Sequence, residues 1–345
     1  MTGSAAVRSV RWLWLAPPLL AAALLLATVV GETRIPLSTV LQVLSAKLGF
    51  SDQTLDPIQA SVIWHYRLSR AVVAASGGAG LALSGMILQA LLRNPLAEPY
   101  LLGISAGAST GAVTVTVAGV GAGVISMSAG AFAGALAAFA LVAVLAKAAG
   151  GGVGVRGAGI IILAGIAGSQ MFNALTALII AQSASAEQAR GIMFWLLGNL
   201  SGVRWPDVRL ALPMAFLGIA ISLWHARTLD AFTFGSNSAA SLGIDVRRAQ
   251  AILIATAAFM TAIVVSIAGA IGFVGLVIPH AMRFLVGPRH TRLVPATALA
   301  GAVFLVLSDV VSRIVIPGQV LPIGVITALV GAPAFGLIMV RGRQR

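Results

Sequence analysis

Runs of sixteen or more residues without a single Asp, Glu, Lys or Arg recur along the whole chain, and they decide its environment. Residues 12–31, 71–92, 157–186, 210–226, 293–308 and 314–340 are such runs, each able to hold one helix, and 99–146 is long enough for two. The run 249–282 is tight for two, but Gly269 and Gly272 offer a break near its middle. A helix of about 20 apolar residues crosses the hydrocarbon of a bilayer. The expected fold is therefore all-α, a polytopic membrane protein with about ten transmembrane helices.

Composition closes the alternatives. Only 9% of residues are charged and 59% are hydrophobic, whereas soluble domains carry about 25% charge. Nine acids and twenty-two bases cannot coat a water-facing surface for 345 residues. Disorder needs the opposite composition, low hydrophobicity and high charge. There is no cysteine, hence no disulfide framework or thiolate metal site, and the four histidines lie on distant segments. The formal charge of +13 does not point to nucleic acid, because the bases cluster at the edges of apolar segments, the positive-inside pattern of membrane proteins.

That pattern sets an orientation. With both termini cytoplasmic, Arg8, Arg11, Arg93, Lys147, Arg156, Arg227, Arg247, Arg248, Arg283, Arg289, Arg292, Arg341, Arg343 and Arg345 fall inside, fourteen bases against eight outside. The first run reads as an anchored helix rather than a cleaved signal peptide, because the rest of the chain is equally apolar. The whole of 1–345 reads as one membrane domain. Residues 31–66 form the longest polar stretch outside the membrane, with Leu37–Leu48 expected as a short amphipathic helix. Residues 226–248 form the longest cytoplasmic loop. Small residues dominate the spans, as in Ala74–Gly85 and Gly130–Ala138, and allow close helix packing in lipid.

No Asp, Glu, Lys or Arg falls at the expected middle of a span, although Asp309 and Arg313 lie toward the outer end of the ninth. Ionisable groups within a bilayer usually mark ion or proton sites, so an ion-coupled secondary transporter is disfavoured. The chain also lacks the G-x-x-x-x-G-K-[ST] loop that cradles nucleotide phosphates, so ATP hydrolysis would need a separate protein. A partner would dock at the 226–248 loop. There Ser238–Leu242 reads as a helix stopped by Gly243, with Asn237 or Ser236 as N-cap; an ordinary linker is the plainer reading. The stretch Leu91–Gly107 holds Asn94, Pro95, Pro99 and Gly103, turn devices that suggest a broken helix near the inner face.

Polar side chains within spans are candidates for a water-filled conduit or for helix–helix hydrogen bonds: Gln89, Ser169, Gln170, Asn173, Gln182 and Asn199. Gln170 and Asn173, three apart, share one helix face. Toward the outer side, Arg67 and Arg70 are also three apart, at the start of the second span. With Arg313 they are suited to bidentate contacts with carboxylates or to lipid phosphates. His65 and His280 have no partner that makes them ligands.

Several segments in order carry a resemblance: RLSRAVVAASGGAGLALSGMILQALLRNPLAEPYLLGISAGA at 67–108, LAGIAGSQMFNAL at 163–175, WLLGNLSG at 195–202, SLGI at 241–244, GFVGLVIPHAMRFLVG at 272–287 and LPIGVITALVGAP at 321–333. The chain resembles the FecCD family, the membrane permeases of bacterial ABC importers for iron chelates, haem and vitamin B12. The resemblance implies a type II ABC importer permease fold with ten spans, in the bacterial inner membrane. It implies two permease copies, two cytoplasmic ATPase subunits that bind ATP and Mg, and an extracytoplasmic binding protein; the chain itself would hold no cofactor. It supports Gln170 and Asn173 in the translocation path, to which the reading of the polar side chains adds Gln89 and Ser169, and it relates the loop that holds Ser238, Leu242, Gly243, Asp245 and Arg247 to ATPase coupling. Arg67, Arg70 and Arg313 would dock the binding protein. Ser69 and Gln319 depart from residues common in the family, and Tyr100 replaces a small residue of some relatives. A ferric siderophore is the expected cargo on the family's breadth, with haem and cobalamin as alternatives.

Overall fold

A computed structural model describes residues 17–342, apart from 32, 34, 52–54, 118, 120–124, 152–154 and 184. The orientation argument from Arg8, Arg11, Arg343 and Arg345, and the polar residues Glu32 and Asp52, lie outside the described residues. The chain forms α1 (Pro17–Val29), α2 (Leu37–Lys47), α3 (Pro57–Leu91), α4 (Ile104–Thr116), α5 (Met127–Ala148), α6 (Val155–Ser183) and α7 (Ala186–Leu196). It continues through α8 (Trp205–Trp224), α9 (Ala226–Thr233), α10 (Ser236–Ser241), α11 (Val246–Ala268), α12 (Val274–Val286), α13 (His290–Ile314) and α14 (Ile323–Gly342). Six of them, α3, α5, α6, α8, α11 and α13, are long and apolar enough to cross a membrane. Shorter apolar helices lie at Pro17–Val29, Val274–Val286 and Ile323–Leu337, and with the 13-residue α4 they fill the remaining charge-free runs.

The second span starts earlier than expected. Asp56 accepts a hydrogen bond from the Ile58 N–H at 2.9 Å, Pro57 takes the first helical position, and residues 62–68 form a π-helical turn. Such a cap and N1 proline start a helix without an orphan donor. Ten residues of the supposed outer loop therefore belong to α3.

Helix α3 is the axle of the bundle, with 89% of its most apolar window buried. Its small residues permit direct backbone contact: Gly78 abuts Gly301 of α13, and Gly85 abuts Gly275 of α12. A Cβ at either site would collide with the facing carbonyl. Helices α4 and α5 meet on a second glycine seam, Gly107 and Gly111 against Gly130 and Gly134. Between apolar helices in lipid there is little hydrophobic force, so this close van der Waals packing supplies the attraction.

Two segments of irregular backbone run inside the bundle. Gly275 lies against the Leu81 carbonyl and Gly85, in the last third of the 35-residue α3. Helix α12, with 13 residues, thus begins inside the bundle and is about 20 Å long. The 269–273 link that precedes it is held open by Gly269 at φ 72° and Phe273 at φ 68°. The other segment follows α3: Arg93 adopts φ 50°, and after a short 3-10 turn at Pro99–Leu102 Gly103 adopts φ 76° before α4 starts. Leu101's carbonyl packs on Gly165, ten residues into α6, so this turn rises about 15 Å from that helix's start. The broken helix expected around Leu91–Gly107 is present. Glu98, which the sequence reading does not single out, is carried by it to the Phe273 N–H inside the bundle.

Candidate functional site

At one end of the bundle Arg67, Arg70 and Arg313 converge, though by different routes. Arg70 reaches Asp309 of α13 with Nη2 2.6 Å from Oδ1. Arg313, one turn beyond Asp309 on the same helix, places Nη2 3.0 Å from Oδ2 and donates to the carbonyls of Ala27 and Val30 at 3.1 and 3.0 Å. Arg67 turns away from Arg70 and donates to the carbonyls of Thr28 and Val29 at 3.0 and 2.7 Å, and to Thr33. The two cations thus occupy the negative end of α1. Arg67 and Arg70 thus take different partners, Arg67 lying in the π turn and Arg70 in the α-helical part that follows. All three arginines border a cleft of about 360 Å³, together with Gly31, Tyr66 and Ser201. Arg204 stacks over the Tyr66 ring at 4.1 Å.

Helix α6 is the least covered of the long helices, with 11% of its most apolar window buried. Gly165 and Gly168 pack inward on Leu101 and Val142, and Thr110 of α4 ties it at Phe172 and Thr176. Gln170 and Asn173 lie exposed on the open side, as does Gln182, while Ser169 is half-buried beside Gly103. Asn199 serves a turn instead, its side-chain oxygen accepting from the Ser201 N–H at 2.7 Å.

Gln89 departs from its expected place in the path. Its side chain is buried between α3 and α12, and its amide nitrogen donates to the carbonyls of Gly275 and Leu276, both at 3.2 Å. Its oxygen accepts from Arg283 at 2.6 Å. Pro279 has no N–H to offer the Gly275 carbonyl one helical turn before it, so Gln89 supplies the missing donor. The sequence held that signal: a proline four residues after a buried glycine leaves a carbonyl to be satisfied.

At the opposite end, 226–248 is more structured than a linker. Helix α9 buries Leu229 and Phe232, and Asp230 accepts from the His290 N–H at 2.9 Å, fastening the hairpin to the start of α13. Its carboxylate also lies 2.7 Å from His290 Nδ1. Helix α10 runs Ser236–Ser241, and Gly235 at φ 110° precedes it with no side-chain cap. Neither Asn237 nor Ser236 takes the capping role expected of it. Gly243 at φ 80° ends the helix as anticipated. Asp245 caps α11, accepting from the Arg248 N–H at 3.0 Å. Ser238, Leu242, Gly243 and Arg247 are exposed on the same hairpin. Phe234 at 77% and Leu242 at 73% exposure are large apolar side chains left largely uncovered by the described residues.

Among the described residues no group of three His, Asp or Glu gathers to hold a metal ion. The bundle thus has irregular backbone within it, one long and largely uncovered helix, and an exposed hairpin at one end. The chain belongs to the FecCD transport family, which matches it over residues 19–341. It is 38% identical over 283 residues to a cobalamin import system permease of Halobacterium salinarum, covering 82% of this chain and 74% of that one. It is 36% identical over 284 residues to the Fe(3+) dicitrate transport permease FecD of Escherichia coli, covering 82% and 86%. A solved inward-facing structure described as a metal-chelate type ABC transporter superposes with a TM-score of 0.81 at 30% identity, over 95% of this chain and 98% of that one. The chain is accordingly a multi-pass membrane protein with the permease fold of an ABC importer, a component that works with ATPase and binding-protein partners in its family.

Proposed function

We propose that this permease carries a ferric siderophore or similar large iron chelate inward by alternating access, with haem or cobalamin as the alternative cargo. The observation that carries the reading is α6: its apolar window is 11% buried, and its exposed Gln170 and Asn173 suit water rather than lipid. A second, identical copy would cover this helix, with the path between the two lined by Ser169, Gln170 and Asn173. Two ATPase subunits would sit on the α9–α10 hairpin and hold the ATP and Mg, this chain carrying no cofactor of its own. The hairpin and both termini would face the cytoplasm, in a bacterial inner membrane, as the distribution of bases supports. The extracytoplasmic binding protein would present carboxylates to the cleft bordered by Arg67, Arg70 and Arg313.

The test is ligand-stimulated ATP hydrolysis by the permease co-expressed with its ATPase and binding protein in lipid bilayers. Ferric siderophores, haem and cobalamin are each loaded on the binding protein. Stimulation by one of them names the cargo. Uptake by the permease alone, driven by a proton or sodium gradient, would replace this reading with secondary transport.

A further inference from the structure

The two irregular segments inside the bundle are fastened to each other by side chains of only one of them. The Tyr100 hydroxyl donates to the Ile271 carbonyl at 2.9 Å and lies 2.7 Å from the Ile271 N–H, which donates back to it. One hydroxyl thereby satisfies both backbone groups of a single residue. Two residues earlier, the Glu98 carboxylate accepts from the Phe273 N–H at 3.1 Å, at the residue whose φ of 68° turns the chain into α12. Pro99, between them, rests against Gly275. Unpaired backbone away from water is costly, so the 269–273 link depends on Glu98 and Tyr100 for its conformation.

The segment that carries these two residues also touches both functional regions. At its start, Arg93 extends its guanidinium to Gly235, where the α9–α10 hairpin turns. At its end, the Leu101 carbonyl rests on Gly165, and Gly103 sits beside Ser169 of α6. Residues 93–103 thus form an unbroken physical link from the docking hairpin to the exposed polar helix, with its middle anchored at 271 and 273.

We propose that Glu98 and Tyr100 are positioning residues that latch this segment to the 269–273 link, so that displacement of the hairpin moves α6 and α12 together. The proposal rests on the importer reading above. With the latch intact, hairpin motion reaches the path. With it released, the turn at 94–98 absorbs the motion and ATP is hydrolysed without transport.

The experiment uses the full complex in proteoliposomes and measures ATP hydrolysed per ligand imported. Hydrogen exchange of the Ile271 and Phe273 amides is followed on the same preparations. Tyr100→Phe keeps the ring and removes both hydrogen bonds; Glu98→Ala removes the other anchor; Glu98→Gln keeps a carbonyl for the Phe273 N–H. Tyr100→Phe and Glu98→Ala should each raise ATP per ligand by about five- to tenfold, speed exchange at their amide, and leave assembly with the ATPase intact. Glu98→Gln should stay near the unmodified protein. The double variant should be no worse than Tyr100→Phe alone, because both anchors hold one segment. An unchanged ATP-to-ligand ratio alongside faster exchange overturns the transmitting role, and unchanged exchange overturns the latch itself. Absence of any ligand-driven hydrolysis in the unmodified complex strikes instead at the importer reading and takes the transmitting role with it.

Discussion

Arg70 and Asp309 stand 239 positions apart in the chain, and their charged atoms meet at 2.6 Å. The Asp309 side chain has no exposed surface and that of Arg70 is 11% exposed. With Arg313 on the second carboxylate oxygen, this knot joins α3 to α13. Removing one member of a buried ion pair leaves uncompensated charge, at a cost of about 3 kcal/mol or more. Asp309→Asn is therefore expected to lower the melting temperature of the solubilised protein by several degrees and to loosen the α1 end. The same logic changes how arginine substitutions should be read. Arg67→Glu or Arg70→Glu would break internal contacts before reporting on any docking partner. An Asp309→Asn protein that melts like the unmodified one would remove the knot from the stability of the fold.

Gln89 and Pro279 compensate one another, which a double substitution can reveal. Gln89→Leu strips donors from two buried carbonyls and an acceptor from Arg283, a loss of about 1–3 kcal/mol. Pro279→Ala restores an N–H to the helix, so the Gly275 carbonyl regains an ordinary partner. The expected result is that Gln89→Leu is markedly less destabilising in the Pro279→Ala background than alone. Equal costs in both backgrounds would show that the glutamine does not stand in for the missing helical donor.

The glycine seams predict opposite outcomes for one chemical change. At Gly85 an added methyl would run into the Gly275 backbone, which no side-chain rotation can relieve. Overpacking of this kind costs about 3 kcal/mol, at the upper end of its usual range. At Gly191, in the short helix α7, nothing lies within 4 Å of an added Cβ, and alanine should stabilise by about 0.5–1 kcal/mol. Thermal melting of Gly85→Ala and Gly191→Ala side by side checks both signs. If the two shift in the same direction, the backbone contact at Gly85 is not what holds α3 to α12.

Most of the architecture was legible because its dominant constraint is one-dimensional. A charge-free run of sufficient length has to be a membrane helix, and Gly269 marked the break between α11 and α12 for a conformational reason visible in its residue type. What stayed hidden depended on depth and on distant partners. Glu98 sits among turn formers, and only the inward fold of that turn brings it to Phe273. Arg67 and Arg70 obey helical spacing in sequence, and a π turn that no residue type announces sends them to different partners. Gln89 looked like a conduit residue because the polar groups that line water and the polar groups that mend backbone are the same ones. The helix α9 was missed because its apolar positions, Leu229 and Phe232, are too few to stand out beside the spans. For the path, the sequence singled out Gln89, Ser169, Gln170 and Asn173, of which Gln170 and Asn173 are exposed, Ser169 is half-buried and Gln89 is buried.

The hairpin separates residues that build it from residues that face outward, and that distinction decides which substitution reports on the ATPase. Asp245 caps α11, so Asp245→Ala should cost about 1 kcal/mol of stability. Gly243 holds φ 80°, and any side chain there strains the turn. Defects at either position would mix folding with coupling. Leu242 leaves 73% of its surface exposed among the described residues, close in sequence to Phe234, which is similarly bare. Leu242→Glu should therefore leave the melting temperature unchanged while weakening copurification with the ATPase by about tenfold or more, as expected when a carboxylate enters an apolar contact. The measurement is recovery of ATPase on the immobilised permease, with melting followed in parallel. Full recovery of the ATPase would take Leu242 out of the interface and move the search to the remaining exposed residues, Ser238 and Arg247.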